Sequence, residues 1–165
     1  MSDASKFDGT ISQFDGDQLY FVKAKVEGGR TGHGETQGDD PLKVDLRLPK
    51  SMGGNGGGNN PEQLFAVGYA ACFEGAVRFV AGNQKVKVDG VGVDSEVQLG
   101  KRKDGKGFAI RAKLDVHLPS LENDAAKAKE IVLQAHNEVC PYSHATHGNI
   151  DVEITVNGTK VFPAA

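Results

Sequence analysis

From Leu64 to Phe73 the chain reads Leu-Phe-Ala-Val-Gly-Tyr-Ala-Ala-Cys-Phe, without a single charge. Just ahead stand Asn60, Pro61, Glu62 and Gln63: an Asn N-cap, a proline at the first helical position and a Gln at the third. This order predicts a helix from Pro61 to about Val80, stopping near Gly82-Asn83. The helix is apolar almost all round, so it must be central and buried, and the other elements must cover it. A chain of 165 residues is long enough to build that core as one domain.

Alternation marks the strands. Tyr20, Val22, Ala24 and Val26 face one way, with Lys23 and Lys25 opposite. Leu42, Val44, Leu46 and Leu48 repeat the pattern against Lys43, Asp45 and Arg47. Val91, Val93, Val97 and Leu99 match Phe108, Ile110, Ala112, Leu114, Val116 and Leu118 across a connection holding Asp104-Gly105, a hairpin signal. A last strand runs through Ile150, Val152, Ile154 and Val156 to a turn at Asn157-Gly158. Strands with one polar face predict antiparallel pairing. A second long helix starts near Ser120, carries Leu121, Ala125, Ala128, Val132, Ala135 and Val139 at three- and four-residue spacing, and ends at Pro141. The expected fold is α+β: antiparallel sheets around a central buried helix, with a second long helix. Residues 15–165 are expected to form a single domain and residues 1–14 a flexible N-terminal extension.

A net charge of −3, a pI near 5.9 and no interleaving of aromatic and basic residues point away from nucleic acid. Met1 to Lys6 contain no apolar leader core, and no run reaches bilayer length, so a cytoplasmic protein without a membrane partner is expected. The glycine-rich stretch from Gly53 to Asn60 lacks the Lys-Ser/Thr of a phosphate loop, and Asn59 stands where a dinucleotide fingerprint needs its third glycine. A flexible or tightly turned loop leading into the helix is the better reading.

The two cysteines have opposite settings. Cys72 sits inside the apolar run, whereas Cys140 ends an amphipathic segment and is followed by Pro141, Tyr142 and Ser143. A reducing compartment disfavours structural disulfides, so two such residues suggest a redox pair that folding brings together. Two unrelated buried thiols are the plain alternative. Burial raises the pKa of Cys72, while Cys140, at a helix end, should be accessible. Cys140 also lies at the negative end of its helix, which makes it a poor first nucleophile. It is a reasonable resolving thiol, because condensation with a sulfenic acid needs access and mobility.

A buried thiolate needs a cation. Of the five arginines, Arg47 and Arg111 lie on polar sides of strands, Arg102 is in the hairpin turn, and Arg78 is about 240° round the helix from Cys72. Arg30 remains, in Glu27-Gly28-Gly29-Arg30-Thr31-Gly32, where glycines let the backbone approach closely; it can equally be an exposed loop arginine. Glu62 can orient such an arginine by a bidentate contact, or simply favour the first helical turn. Glu62 and Cys72 are about 15 Å apart along an ideal helix, which strains a single Arg30 touching both and points to a dimer. A rival set, His136, Cys140, His144 and His147, could bind zinc, although its spacing matches no common zinc module. His33 reads as a loop residue and His117 as an outward strand residue.

These segments together resemble the organic hydroperoxide resistance proteins, thiol peroxidases of the osmotically inducible protein C superfamily. The resemblance rests on Gly28-Gly29-Arg30, on Asn60 to Phe65, on Gly68 to Phe73, on Cys140-Pro141-Tyr142-Ser143 and on Gly148 to Val152. It implies that Cys72 is the peroxidatic cysteine and Cys140 the resolving one, with a Cys72–Cys140 disulfide between turnovers. Arg30 and Glu62 would activate the thiolate and position the peroxide. It further implies an intertwined homodimer, reduction by lipoylated dithiol proteins, and no metal or bound cofactor. The loop His33 to Asp40 departs from the family's usual turn. Phe65, Tyr69 and Phe73 suggest a site for bulky alkyl or lipid hydroperoxides. The alternatives are the more generalist osmotically induced peroxidases of the same superfamily, and a non-catalytic thiol or zinc sensor.

Overall fold

The computed structural model describes residues 19–163, so the expected extension 1–14 lies outside the described residues. The chain divides into two compact units, one ending at Asn60 and the other beginning at Pro61. The glycine-rich stretch closes the first unit. It folds back onto the chain before it, with Gly56 N–H donating to the Leu48 carbonyl at 3.1 Å and Asn59 N–H to that of Asp45 at 2.8 Å. It is thus a tightly turned loop.

The first unit is an antiparallel sheet of β1 (Ala24–Glu27), β2 (His33–Thr36) and β3 (Lys43–Asp45). The strand predicted to start at Tyr20 starts only at Ala24. Past the Ala24↔Thr36 pair the bond from Gln37 N–H to the Lys23 carbonyl, at 2.8 Å, ends the pairing among the described residues, and Leu19, Tyr20, Phe21 and Val22 are exposed. His33, read as a loop residue, opens β2 instead and bonds Asp45 through Nδ1 at 3.0 Å.

The second unit starts where the caps predict, with α1 spanning Pro61–Asn83. Its core side is Tyr69, Phe73, Ala76, Val77, Val80 and Ala81, packed against β4 (Gly92–Lys101). Burial all round is not observed: Leu64, Val67 and Phe79 stand exposed on the opposite side. By length and composition alone α1 could cross a bilayer, which corrects the expectation that no run is long enough. The predicted hairpin joins β4 to β5 (Phe108–His117), in register from Gly92↔His117 to Lys101↔Phe108. Ala112, Leu114 and Val116 point into the core at the predicted period of two.

Three local expectations change. The helix expected from Ser120 is a 3-10 turn (Pro119–Leu121), then α2 (Ala125–Gln134), capped by Asp124 accepting from Lys127 N–H at 3.0 Å. A wide turn over Ala135–Val139 follows, and Pro141 begins a new helix, α3 (Pro141–Thr146), as well as ending the old one. Next, β6 (Val152–Val156) pairs with β5 in parallel, from Ala112↔Val152 to Val116↔Val156. The crossover through α2 and α3 is long enough to return the chain in the same direction, which a short turn cannot do. Finally, Asn157 and Gly158, both at positive φ, close a hairpin onto a strand absent from the sequence reading, β7 (Thr159–Phe162). The sheet order is β4-β5-β6-β7. The fold is α+β with two sheets, mixed rather than wholly antiparallel.

Candidate active site

Cys72 lies on α1 one residue before the fully buried Phe73, and Cys140 sits at the junction between the wide turn and α3. Both thiols are free, with their Sγ atoms 3.6 Å apart. Folding therefore brings the predicted pair together. The burial order is the reverse of the predicted one: Cys140 is 1% exposed and Cys72 is only half-buried. Cys140 is hidden because it also caps α3 from within the core, its Sγ accepting from Ser143 N–H at 3.5 Å. Access from solvent is not what fits it to meet Cys72; it already lies beside it.

Burial pushes the Cys72 thiol above its ordinary value, and the neighbouring Cys140 adds to the rise. The backbone N–H of Tyr142 acts the other way, since a donor aimed at sulfur favours the thiolate. The first turn of α3 thus supplies one N–H to each sulfur. Proline at the first helical position makes this possible, fixing the helical start directly after Cys140.

The aromatic residues form a layer around the thiols. Phe65 meets Tyr69 edge-on at 5.7 Å between centroids, and the Tyr142 ring lies 6.2 Å from Phe65 and 5.9 Å from Tyr69. Gly68 makes room for that ring, because a Cβ there would meet the Tyr142 hydroxyl at 3.0 Å. Phe65 keeps partial exposure, while Tyr69 and Phe73, assigned to substrate, are fully buried. They belong to the buried core against which Cys72 packs. The partly exposed wall is Phe65 with Tyr142, a residue quoted in the Cys140 motif without a role of its own.

A second group was not foreseen. Ser143, Thr146 and His136 are buried polar residues joined to Tyr69, whose hydroxyl lies 3.1 Å from Ser143 Oγ and 3.4 Å from Thr146 Oγ1. His136 Nδ1 lies 3.0 Å from Ser143 Oγ. The signal was present: reading Pro141 as a helix start would have put Ser143 and Thr146 on one turn of α3. The sequence offers His136 as a zinc candidate with Cys140, His144 and His147, yet among the described residues no three His, Cys, Asp or Glu side chains converge on a metal position.

Arg30 is half-buried at the centre of a 3-10 turn, Gly29–Thr31, in the first unit. The glycines shape that turn. Gly28 has a φ of 75°, and a Cβ on Gly32 would lie 1.7 Å from the Glu27 carbonyl oxygen. Arg47, expected merely on a polar strand face, braces the turn by donating to the carbonyl of Gly32 at 3.1 Å. Glu62 is half-buried in the first turn of α1, in the second unit. Arg30 and Glu62 each have a partner. Arg78, set aside as a thiolate activator, is ion-paired with Glu74 on its own helix.

The OsmC-like protein family matches residues 53–155. An organic hydroperoxide resistance protein of Xanthomonas axonopodis pv. citri is 46% identical over 140 residues, covering 84% of this chain and 94% of the relative. Among solved structures, an organic hydroperoxide resistance protein from Legionella pneumophila is 48% identical with a TM-score of 0.79, over 85% of this chain and 98% of that one. The organic hydroperoxide resistance protein OhrB of Bacillus subtilis is 42% identical with a TM-score of 0.74, over 84% and 99%. This chain belongs to the organic hydroperoxide resistance proteins of the OsmC-like family.

Proposed function

We propose that this protein is a thiol peroxidase that protects against organic hydroperoxides by reducing them to alcohols. The observation that carries this reading is the 3.6 Å approach of Cys72 and Cys140 in a chain whose relatives bear the name organic hydroperoxide resistance. The Cys72 thiolate attacks the distal peroxide oxygen, the O–O bond breaks, and the alkoxide takes a proton to leave as alcohol. The resulting Cys72 sulfenic acid is attacked by the Cys140 sulfur; the S–O bond breaks and the oxygen leaves as water with the Cys140 proton. An external dithiol, a lipoylated protein by resemblance, reduces the disulfide and restores both thiols.

By resemblance, Arg30 and Glu62 are the residues proposed to activate the thiolate, the one as a cation that offsets burial and the other as its orienting acid. Phe65 and Tyr142 present aromatic surface suited to a bulky alkyl chain, with Tyr69 and Phe73 in the buried core. The working unit is a homodimer, supported by the exposed apolar side of α1 and by the exposed segment before Ala24. A cytoplasmic location suits a cycle that needs a steady supply of reduced dithiols.

The test is turnover of cumene hydroperoxide against hydrogen peroxide, with dihydrolipoamide and then glutathione as reductant. Wild type is expected to prefer the organic peroxide and the dithiol. Cys72→Ser should be inert, and Cys140→Ser should consume about one peroxide per chain and then stall as sulfenic acid or over-oxidise. Sustained turnover by Cys72→Ser would overturn the assignment.

A further inference from the structure

The direction of the hydrogen bonds in the buried cluster is set by where the Thr146 proton goes and by the unpartnered nitrogen of His136. Thr146 Oγ1 lies 2.8 Å from the Tyr142 carbonyl and 3.2 Å from that of Ser143, so its single proton goes to a carbonyl. The Thr146 oxygen is then free to accept from the Tyr69 hydroxyl, 3.4 Å away and kept protonated by burial, and this direction is the one that leaves no stranded N–H on His136. With that proton committed, Tyr69 accepts from Ser143, and Ser143 accepts from His136 Nδ1–H. The imidazole is thereby fixed as the Nδ1–H tautomer. Its Nε2, buried beside Phe162 with no hydrogen-bond partner among the described residues, is left as a bare lone pair rather than a stranded N–H. An unmet acceptor is the more tolerable of the two.

This chain of donors starts on the wide turn, at His136, and ends on α3. Between its ends lies Cys140, whose backbone N–H closes the wide turn on the Ala135 carbonyl at 2.9 Å and whose Sγ accepts from Ser143 N–H. We infer that His136 is a positioning residue for the resolving step. It holds Ser143 directly, and Thr146 through Ser143 and Tyr69, and so keeps the Cys140 sulfur against Cys72. From 3.6 Å the sulfurs need to close by only about 1.6 Å to reach disulfide length. His136 acts after the attack, when Cys72–SOH and Cys140–SH become the disulfide and one water. This rests on the peroxidase reading.

The test separates the two chemical steps. Reduced protein is mixed with graded cumene hydroperoxide, and loss of peroxide, disulfide and Cys72 sulfinic acid are followed by rapid quench and intact-mass spectrometry. His136→Phe keeps the ring and removes the donor. It is expected to leave the first step within about twofold and to slow disulfide closure about tenfold, about 1.4 kcal/mol on that barrier. Sulfinic acid should then appear at about tenfold lower peroxide, because over-oxidation competes with closure. His136→Asn returns a donor near the Nδ1 position and should recover most of the closure rate. Ser143→Ala should reproduce His136→Phe, and the double variant should be no worse than either, as for two members of one unit. Ser143→Ala and His136→Asn carry the test if His136→Phe fails to fold. Closure and over-oxidation at wild-type levels in the variants, or an equal slowing of both steps, would overturn the inference. A wild type that forms neither sulfenic acid nor disulfide would instead overturn the peroxidase reading beneath it.

Discussion

At the scale of single residues, what matters at this site is which group is desolvated and what compensates. Cys72 has one N–H, from Tyr142, set against the rise caused by burial. Arg30→Ala should therefore move the pH profile of Cys72 alkylation to higher pH while leaving the circular dichroism spectrum unchanged; an unmoved profile would show that another group activates the thiol. His136 offers a stability measurement with a definite sign. Burial, and next the charge of His147, lower its pKa in the folded protein below the ordinary 6.5. As pH falls through that value the unfolded chain takes up the proton first, so this part of the stability is lost progressively on acidification. The urea midpoint should drop between about pH 7.5 and about pH 5.5, and drop less in His136→Phe. Equal drops would assign the acid sensitivity to other groups.

The elements carry a different lesson, because a break in periodicity here does positional work. Had the second helix run straight on to Cys140, no new helix would begin there and neither sulfur would receive an N–H from α3. The wide turn over Ala135–Val139 lets the chain stop at Cys140 in an extended conformation and restart at Pro141. Wide turns of this type inside helices are frequent at functional sites. The start of α2 makes a simpler prediction. Asp124, not Ser120, is its cap, so Asp124→Ala should cost about 1 kcal/mol, read as a lower urea midpoint at unchanged m-value. Ser120 is occupied elsewhere, its Oγ accepting from Asp89 N–H at 2.8 Å, and a larger loss in Ser120→Ala than in Asp124→Ala would refute the assignment.

Across the whole molecule, the apolar surface left over is the informative quantity. Leu64, Val67, Ala71, Gly75 and Phe79 follow one another at three- and four-residue spacing along α1, and all are exposed, with Val67 at 71%. A second copy of the chain would cover this stripe, and its small residues would allow close approach. Val67→Asp should then turn a dimer into a monomer by sedimentation; in a protein monomeric to begin with, it would change nothing. If Arg30 or Glu62 serves the partner's thiol, mixing inactive Cys72→Ser with inactive Glu62→Ala under subunit exchange should restore activity at one site per heterodimer. A stable dimer without such rescue would place the site within one chain.

The sequence by itself determined what depends on near neighbours. Asn60-Pro61 and the apolar run specified α1 almost to the residue, and Asp104-Gly105 between two alternating runs specified the β4–β5 hairpin, because caps, turns and periodicity act within a few residues. The meeting of Cys72 and Cys140 was legible too, since two thiols in such settings suggest a pair that folding brings together. Tertiary structure alone decided which thiol is buried more deeply, that β6 joins β5 in parallel, and that Pro141 opens a helix. It also decided the partners of His136, Ser143, Thr146 and Tyr69. Burial and polar satisfaction are set by what lies across the core, and no local pattern in the chain encodes the far side of a contact between Tyr69 and Ser143.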